Sequence, residues 1–265
     1  MRPLSDKWLI VFVKAPVPGQ VKTRLLSLLS DEEACQLYRC LVLDTLEAVK
    51  LLRNVRVVVA YAADPACPDL AWLNHDCTMF LQQGETLGER LIHAFEWAFA
   101  QPAPHQFVGT KIRRGDVRTD DPKIRRRSGV QAIGAGQARS VVALGSDAPD
   151  LSTQWVRQAF HGLVHCDVVV GPTVDGGYQL IGLVKPHPEL FVDMPWSSSR
   201  LFNQTLDRIK RLRLSVHVLS PIADLDTPDD LHRYEAQRRF HHHTPACQDD
   251  RGAGRHTARF LRNFA

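Results

Sequence analysis

The chain of 265 residues is 44% apolar with a formal charge of +4, which supplies apolar residues for one large domain with additions. No apolar run approaches the roughly 18 residues that a membrane-spanning helix needs, and MRPLSDKW leads into a strand without a signal-peptide pattern, so a cytoplasmic protein with no membrane span is expected. Eight Lys/Arg against three Asp lie between Lys111 and Arg127, and seven Arg against three acids from Arg233 to Ala265; the acidic remainder argues against a nucleic-acid-binding face on the folded body.

Leu9 to Val13 (LIVFV) is an apolar run of strand length, and it delivers the chain into Lys14-Ala-Pro-Val-Pro-Gly-Gln-Val-Lys-Thr-Arg24. Two prolines and Gly19 exclude helix there, so Lys14, Lys22 and Arg24 form a basic loop at a strand's end. Followed by a helix N-terminus, such a loop suits a di- or triphosphate. It is not a Walker A loop, because no glycine immediately precedes Lys22. Solvated surface lysines are the plainer alternative.

Ser30 and Glu33 form a capping-box pattern ahead of a long amphipathic helix from Ala34 to Val49. Strands are expected at Val55 to Ala60 and Thr78 to Leu81, and a helix at Leu91 to Ala100, after a Gly84–Gly88 loop in which Arg90 could meet a ligand or which is simply a turn before a capped helix. The alternation of strand and helix predicts βαβ crossovers and a mainly parallel sheet. Residues 102–139 show neither apolar period and far exceed the usual connection of roughly 2–6 residues, so a disordered insertion is expected. Cys35, Cys40, Cys67, Cys77, Cys166 and Cys247 form no CxxC pair and are expected to be reduced thiols.

Val141 to Leu144 reads as a buried strand that ends on Gly-Ser-Asp147-Ala-Pro-Asp. At a strand's carboxyl end, Asp147 is placed to hold a divalent cation against phosphates; a turn or cap aspartate is the alternative. A helix at Thr153 to Val164 and a strand at Asp167 to Val170 follow. Asp175, Gly176, Gly177 and Tyr178 then form a loop where glycines permit close backbone approach to a sugar or phosphate, or simply a hairpin turn. After the Gln179 to Val184 strand come Trp196, either a core or lid residue or a stacking platform, and a helix from Leu201 to Lys210 with serines at its cap. A strand at Leu214 to Leu219 leads to Asp226-Thr-Pro, where Asp226 is a second candidate metal carboxylate or a helix cap. Beyond Gln237 the chain reads as a basic tail.

The runs VFVKAPVPGQVKTRL, LGSDAPDL, GPTVDGGYQLIGL, PWSSSRLFNQT and DLDTPDDL, in this order, resemble DUF2064, a bacterial family of GT-A-like glycosyltransferases similar to the nucleotidyltransferases of cofactor biosynthesis. The resemblance spans residues 8–237 apart from 102–139. It implies an α/β, Rossmann-related GT-A-like fold: one domain with a mainly parallel sheet and helices on both faces, over 1–237, interrupted at 102–139 and followed by the tail 238–265. It implies Lys14, Gly19, Lys22 and Arg24 at the nucleotide phosphates, and Asp147 and Asp226 as ligands of Mg²⁺ or Mn²⁺. Asp147 and Asp175 are then the catalytic carboxylates, with Gly176, Gly177, Tyr178 and Trp196 on the acceptor or sugar side. The expected activity is metal-dependent glycosyl transfer from a nucleotide sugar to a small-molecule acceptor. Nucleotidyl transfer from an NTP to a phosphorylated small molecule, and nucleotide binding without catalysis, are the alternatives. Either transfer needs only the leaving phosphate's charge neutralised, without a covalent intermediate, and GSDAP is not a nucleophile elbow.

Overall fold

The run at Leu9–Val13 lies in an interior strand, third in order, of a seven-stranded sheet. The computed structural model describes residues 6–64, 66–67, 70–73, 78–101, 139–241 and 254–262. Its strands are β1 (Asp6–Val13), β2 (Arg56–Tyr61), β3 (Thr78–Leu81), β4 (Arg139–Leu144), β5 (Val168–Pro172), β6 (Tyr178–Leu183) and β7 (Val216–Val218). The order is β3-β2-β1-β4-β6-β5-β7. β6 runs antiparallel to β4 and β5, and the other pairs are parallel. The helices are α1 (Asp31–Lys50), α2 (Leu87–Ala100), α3 (Thr153–Gly162), α4 (Leu201–Arg211), α5 (Pro228–His241) and α6 (Arg255–Leu261).

Central parallel strands are covered on both faces, which is why their sequences are continuously apolar. Alternate residues then serve different layers. Leu9, Val11 and Val13 of β1 pack with Tyr38, Val42 and Leu46 of α1 and Trp155 and Val156 of α3. Trp8 and Ile10 face the other way, towards Leu91, Phe95 and Phe99 of α2 and Ile209 of α4. A third cluster joins Leu25 and Leu29, the α1 residues Leu37 and Leu41, Leu225, the α5 residues Leu231 and Tyr234, and Leu261 of α6. The fold is thus α/β with helices on both faces of a mainly parallel sheet.

Several boundaries differ from expectation for local reasons. α2 starts at Leu87 rather than Leu91, because Thr86 and Glu89 form a capping box. β4 starts at Arg139, whose guanidinium binds the Asp6 carboxylate at 2.7 Å and 2.8 Å and caps the end of α2 through the Ala98 and Phe99 carbonyls. Residues 102–138 of the expected insertion lie outside the described residues. The serines before α4 do not cap it: Arg200 is its N-cap residue, with no side-chain hydrogen bond. Residues 255–261, grouped with the tail by composition, form α6 against α1. Among the described residues, Cys35, Cys40, Cys67 and Cys166 are in no disulfide, and no helix is long and apolar enough to cross a membrane.

Candidate active site at the carboxyl ends of β1 and β4

Three loops meet beyond the carboxyl edge of the sheet. The first follows β1. The Lys14 backbone N–H donates to Tyr38 Oη at 2.8 Å and Cys35 Sγ lies 2.9 Å from the Pro16 carbonyl, so α1 holds the loop from two turns. Gly19 turns the chain at φ 74°, a left-handed value that a side chain would strain. Lys22 is also left-handed, at φ 51° and ψ 35°, and opens the single 3-10 turn Thr23–Leu25. A buried lysine in that conformation is held by its surroundings, and such positions concentrate at functional sites.

The second loop follows β4. Gly145 N–H donates to the Gln179 carbonyl at 2.8 Å, and Ser146 Oγ donates to the Phe12 carbonyl at 3.0 Å. These bonds extend the β6–β4–β1 pairing and leave Asp147 as the first side chain past the edge. The third loop precedes α5. Leu225 N–H donates to the Asp147 carbonyl at 3.0 Å, which fixes this loop to the second. Asp230 then accepts from Thr227 N–H at 2.8 Å, Thr227 Oγ1 at 2.7 Å and Asp226 N–H at 3.2 Å.

The three loops place one ammonium between two carboxylates. Lys22 Nζ lies 2.6 Å from Asp147 Oδ1 and 3.6 Å from Asp226 Oδ1, with the lysine side chain 3% exposed. Arg24 Nη1 lies 2.8 Å from Asp226 Oδ2 from the solvent side. Burial raises the Asp147 carboxyl, but the charge and hydrogen bond of Lys22, helped by Lys14, hold it below the ordinary carboxylate range. Lys22, Arg24, Asp147 and Asp226, four of the residues expected from the sequence, are therefore brought together from positions up to 204 residues apart in the chain.

Other expected residues make different contacts. The Lys14 side chain is exposed, and its charge also lowers the Asp147 carboxyl. Gly19 turns towards Asp31, whose Oδ2 lies 3.3 Å from where a Cβ would stand. The first turn of α1 carries Asp31, Glu32 and Glu33, whose charge opposes an anion at that helix end. Asp175 Oδ1 accepts from Thr173 Oγ1 and from Gly177 N–H, shaping the β5–β6 turn. Gly176, at φ 92°, is required by packing: a Cβ there would lie 2.2 Å from the Ser199 carbonyl oxygen. Trp196 packs its edge against Gly88 and makes a T-shaped contact with Tyr178 at 6.4 Å. Tyr178 Oη and Gln179 Nε2 are buried without a hydrogen-bond partner.

Asp224 escaped the sequence reading. Its carboxyl is pushed up to about 6, by burial first and then by the Asp175 carboxylate, with Lys22 opposing. Nothing local in Ala-Asp-Leu-Asp distinguishes it from Asp226, because its neighbours come from the β5–β6 turn. That turn is tied to the third loop by the Val174 N–H, which donates to the Ile222 carbonyl at 3.2 Å.

Among the described residues no three His, Cys, Asp or Glu side chains converge as a metal-binding group. The donor chemistry nevertheless fits a hard divalent cation, since Asp147 and Asp226 direct carboxylate oxygens to one cationic atom.

A family model described as "Uncharacterized protein conserved in bacteria (DUF2064)" matches residues 45–112 and 118–198. The chain belongs to the DUF2064 family. The match includes Asp147, Asp175 and most of 102–139, but not Lys22, Arg24 or Asp226. A crystal structure from Desulfovibrio desulfuricans G20, of a protein named as a candidate nucleotide-diphospho-sugar transferase, is 29% identical, with a TM-score of 0.72 over 98% of this chain and 95% of that one. A cytidylyltransferase from Leptospira borgpetersenii serovar Hardjo-bovis shares the fold at 11% identity, with a TM-score of 0.51 over 98% and 93% of the two chains. No curated protein matches. The fold is the GT-A-like fold of nucleotide-diphospho-sugar transferases.

Proposed function

We propose that this DUF2064 chain is a nucleotide-sugar-related transferase, and specifically a metal-dependent glycosyltransferase that takes its sugar from a nucleoside diphosphate. The observation that carries this reading is the buried Lys22 ammonium set between Asp147 and Asp226. The 29% identical protein named for nucleotide-diphospho-sugar transfer, aligned over nearly its whole length, supports it.

Glycosyl transfer breaks the bond between the anomeric carbon and the diphosphate oxygen, forms one to an acceptor oxygen, and releases the acceptor's proton. The diphosphate leaves with the bonding pair, so the protein must favour negative charge there. In this reading Asp147 and Asp226 would hold Mg²⁺ or Mn²⁺, which neutralises leaving-group charge when bound. Lys22 and Arg24 exchange their carboxylate contacts for phosphate oxygens, Arg24 from the more exposed side. Asp175 faces the acceptor: its Oδ1 is committed to the turn, and Oδ2 takes none of those hydrogen bonds.

A thermal-shift screen of nucleotide sugars and NTPs, with and without Mg²⁺, tests the site, because a ligand bound only by the native state raises the melting temperature. A Mg²⁺-dependent shift with a nucleotide sugar, followed by release of nucleoside diphosphate on turnover, is expected. Release of pyrophosphate from an NTP would replace glycosyl with nucleotidyl transfer, and binding without turnover would leave a nucleotide-binding protein. No shift with any nucleotide would remove the site.

A further inference from the structure

α6 has seven residues, too few to persist as an isolated helix in water, so its formation requires a tertiary cause. That cause is Asp44 on α1. The Asp44 carboxylate, only 3% exposed, accepts from His256 N–H at 2.7 Å and Thr257 N–H at 2.9 Å. One turn further along α1, Glu47 Oε1 meets Arg255 Nη2 at 3.1 Å and His256 Nε2 at 3.0 Å. A buried carboxylate in a helix interior is costly unless it is satisfied, and these backbone amides satisfy it.

The helix so held reaches all three loops of the site. Gly254, at φ 65°, enters it where a Cβ would lie 2.4 Å from Tyr234 Oη and 3.2 Å from the carbonyl oxygen of Pro149. The turn is therefore wedged between α5 and the segment two residues past Asp147. At the other end Leu261 completes the cluster containing Leu25 and Leu225. Leu25 N–H closes the 3-10 turn onto the Lys22 carbonyl at 2.9 Å, and Leu225 N–H binds the Asp147 carbonyl. Leu261 of α6 thus shares one apolar cluster with the residues next to the Lys22 turn and the Asp147–Leu225 bond.

We propose that α6 is a clamp that sets the three charged loops in register for binding a diphosphate and its metal, with Asp44 as the positioning residue. The diphosphate rests on the nucleotide-site reading; the clamp itself rests on the contacts of Asp44, Gly254 and Leu261. Coupling between clamp and site must be reciprocal.

Amide hydrogen exchange and calorimetry on the full chain, with inorganic pyrophosphate and Mg²⁺ as the probe, test it. In the wild type the probe should slow exchange of His256 and Thr257 by local opening, under native conditions in which their exchange is faster than that of β1 and β4; a merely structural strap would keep its local opening rate. Asp44→Asn keeps the shape but removes the charge; pyrophosphate affinity should fall about tenfold, within the range usual for coupled sites. The Leu225 amide should then exchange faster while β1 and β4 keep their protection. Freed His256 and Thr257 amides with unchanged Leu225 exchange and unchanged affinity would overturn the clamp. If Asp44→Asn does not fold, an absent probe effect at His256 and Thr257 in the wild type overturns it. If the wild type binds no pyrophosphate, the nucleotide reading falls, and Leu225 exchange in Asp44→Asn, or in Glu47→Gln where the first does not fold, decides the clamp alone.

Discussion

Lys22 Nζ lies 2.6 Å from Asp147 Oδ1 and 3.6 Å from Asp226 Oδ1, so a single ammonium balances two carboxylates drawn from different loops. Lys22→Met removes the cation between those carboxylates and leaves Arg24 paired with Asp226 from the solvent side. Asp147 is 42% exposed at its side chain, which screens the loss, and the metal-free variant should be destabilised by about 1–2 kcal/mol rather than by the larger amount typical of a fully buried pair. Mg²⁺ should restore part of this, because the uncompensated carboxylates attract it more strongly than in the wild type. Melting curves in EDTA and in Mg²⁺ measure both effects; an equal Mg²⁺ increment in variant and wild type would mean that Lys22 and the metal do not share the site.

Arg24 differs from Lys22 in exposure. Its side chain is 59% exposed and bonded to Asp226, so Arg24→Ala should change folding stability by less than about 1 kcal/mol. If it turns to a phosphate oxygen, nucleotide affinity should fall by about 1–3 kcal/mol, the order of a charge-assisted hydrogen bond. Calorimetric titration of nucleotide into variant and wild type separates the two; equal affinities would place Arg24 outside the site.

What was legible in the sequence was what is decided locally. The Ser30–Glu33 capping box, the apolar strands and the position of Asp147 just past β4 follow from residues a few places apart, and the structure has them. A turn before a capped helix was legible at Gly84–Gly88 too, and the structure has it, with the Thr86–Glu89 capping box starting α2 one turn earlier than Leu91. α6 was not legible: its N-terminal amides bind Asp44, more than two hundred residues away. Gly176 carried a true signal of close approach, but the approaching backbone is that of Ser199. Asp224 was hidden because its environment is made by Asp175 and Lys22 from other loops.

Asp224 offers a pH dependence of unusual sign. Its folded carboxyl is raised from 3.8 to about 6 by burial and Asp175, so the folded state holds the proton more tightly than the unfolded chain. Its contribution to stability is fully present below the unfolded value and is lost as pH rises through about 6. Asp224→Asn mimics the protonated form at every pH, and in EDTA it should stabilise the protein by about 1–2 kcal/mol at pH 8 with the gain vanishing below pH ~4. Melting temperature against pH for both proteins would show this; a constant offset at all pH values would mean that the substitution acts by packing rather than by charge.

Asp147→Asn separates the site reading from a turn reading most directly. As a turn residue after Gly-Ser, Asp147 would be well replaced by Asn, which makes the same local hydrogen bonds. Relief of repulsion with Asp226 would by itself favour the substitution, but Lys22 pairs with both carboxylates, so the ion pair it removes outweighs that relief and a mild destabilisation is expected. The acid side gives the sign: Lys22 holds the Asp147 carboxyl below its ordinary 3.8, so this contribution is present above that value and lost as pH falls through the lower folded one. The variant should therefore lose stability less steeply in acid than the wild type. At neutral pH the Mg²⁺-dependent part of nucleotide binding should disappear, since a hard cation loses a charged ligand that an amide oxygen does not replace. Calorimetry of nucleotide binding in Mg²⁺ and in EDTA, on folded variant and wild type, decides it: a Mg²⁺ increment retained in Asp147→Asn would take Asp147 out of the metal site.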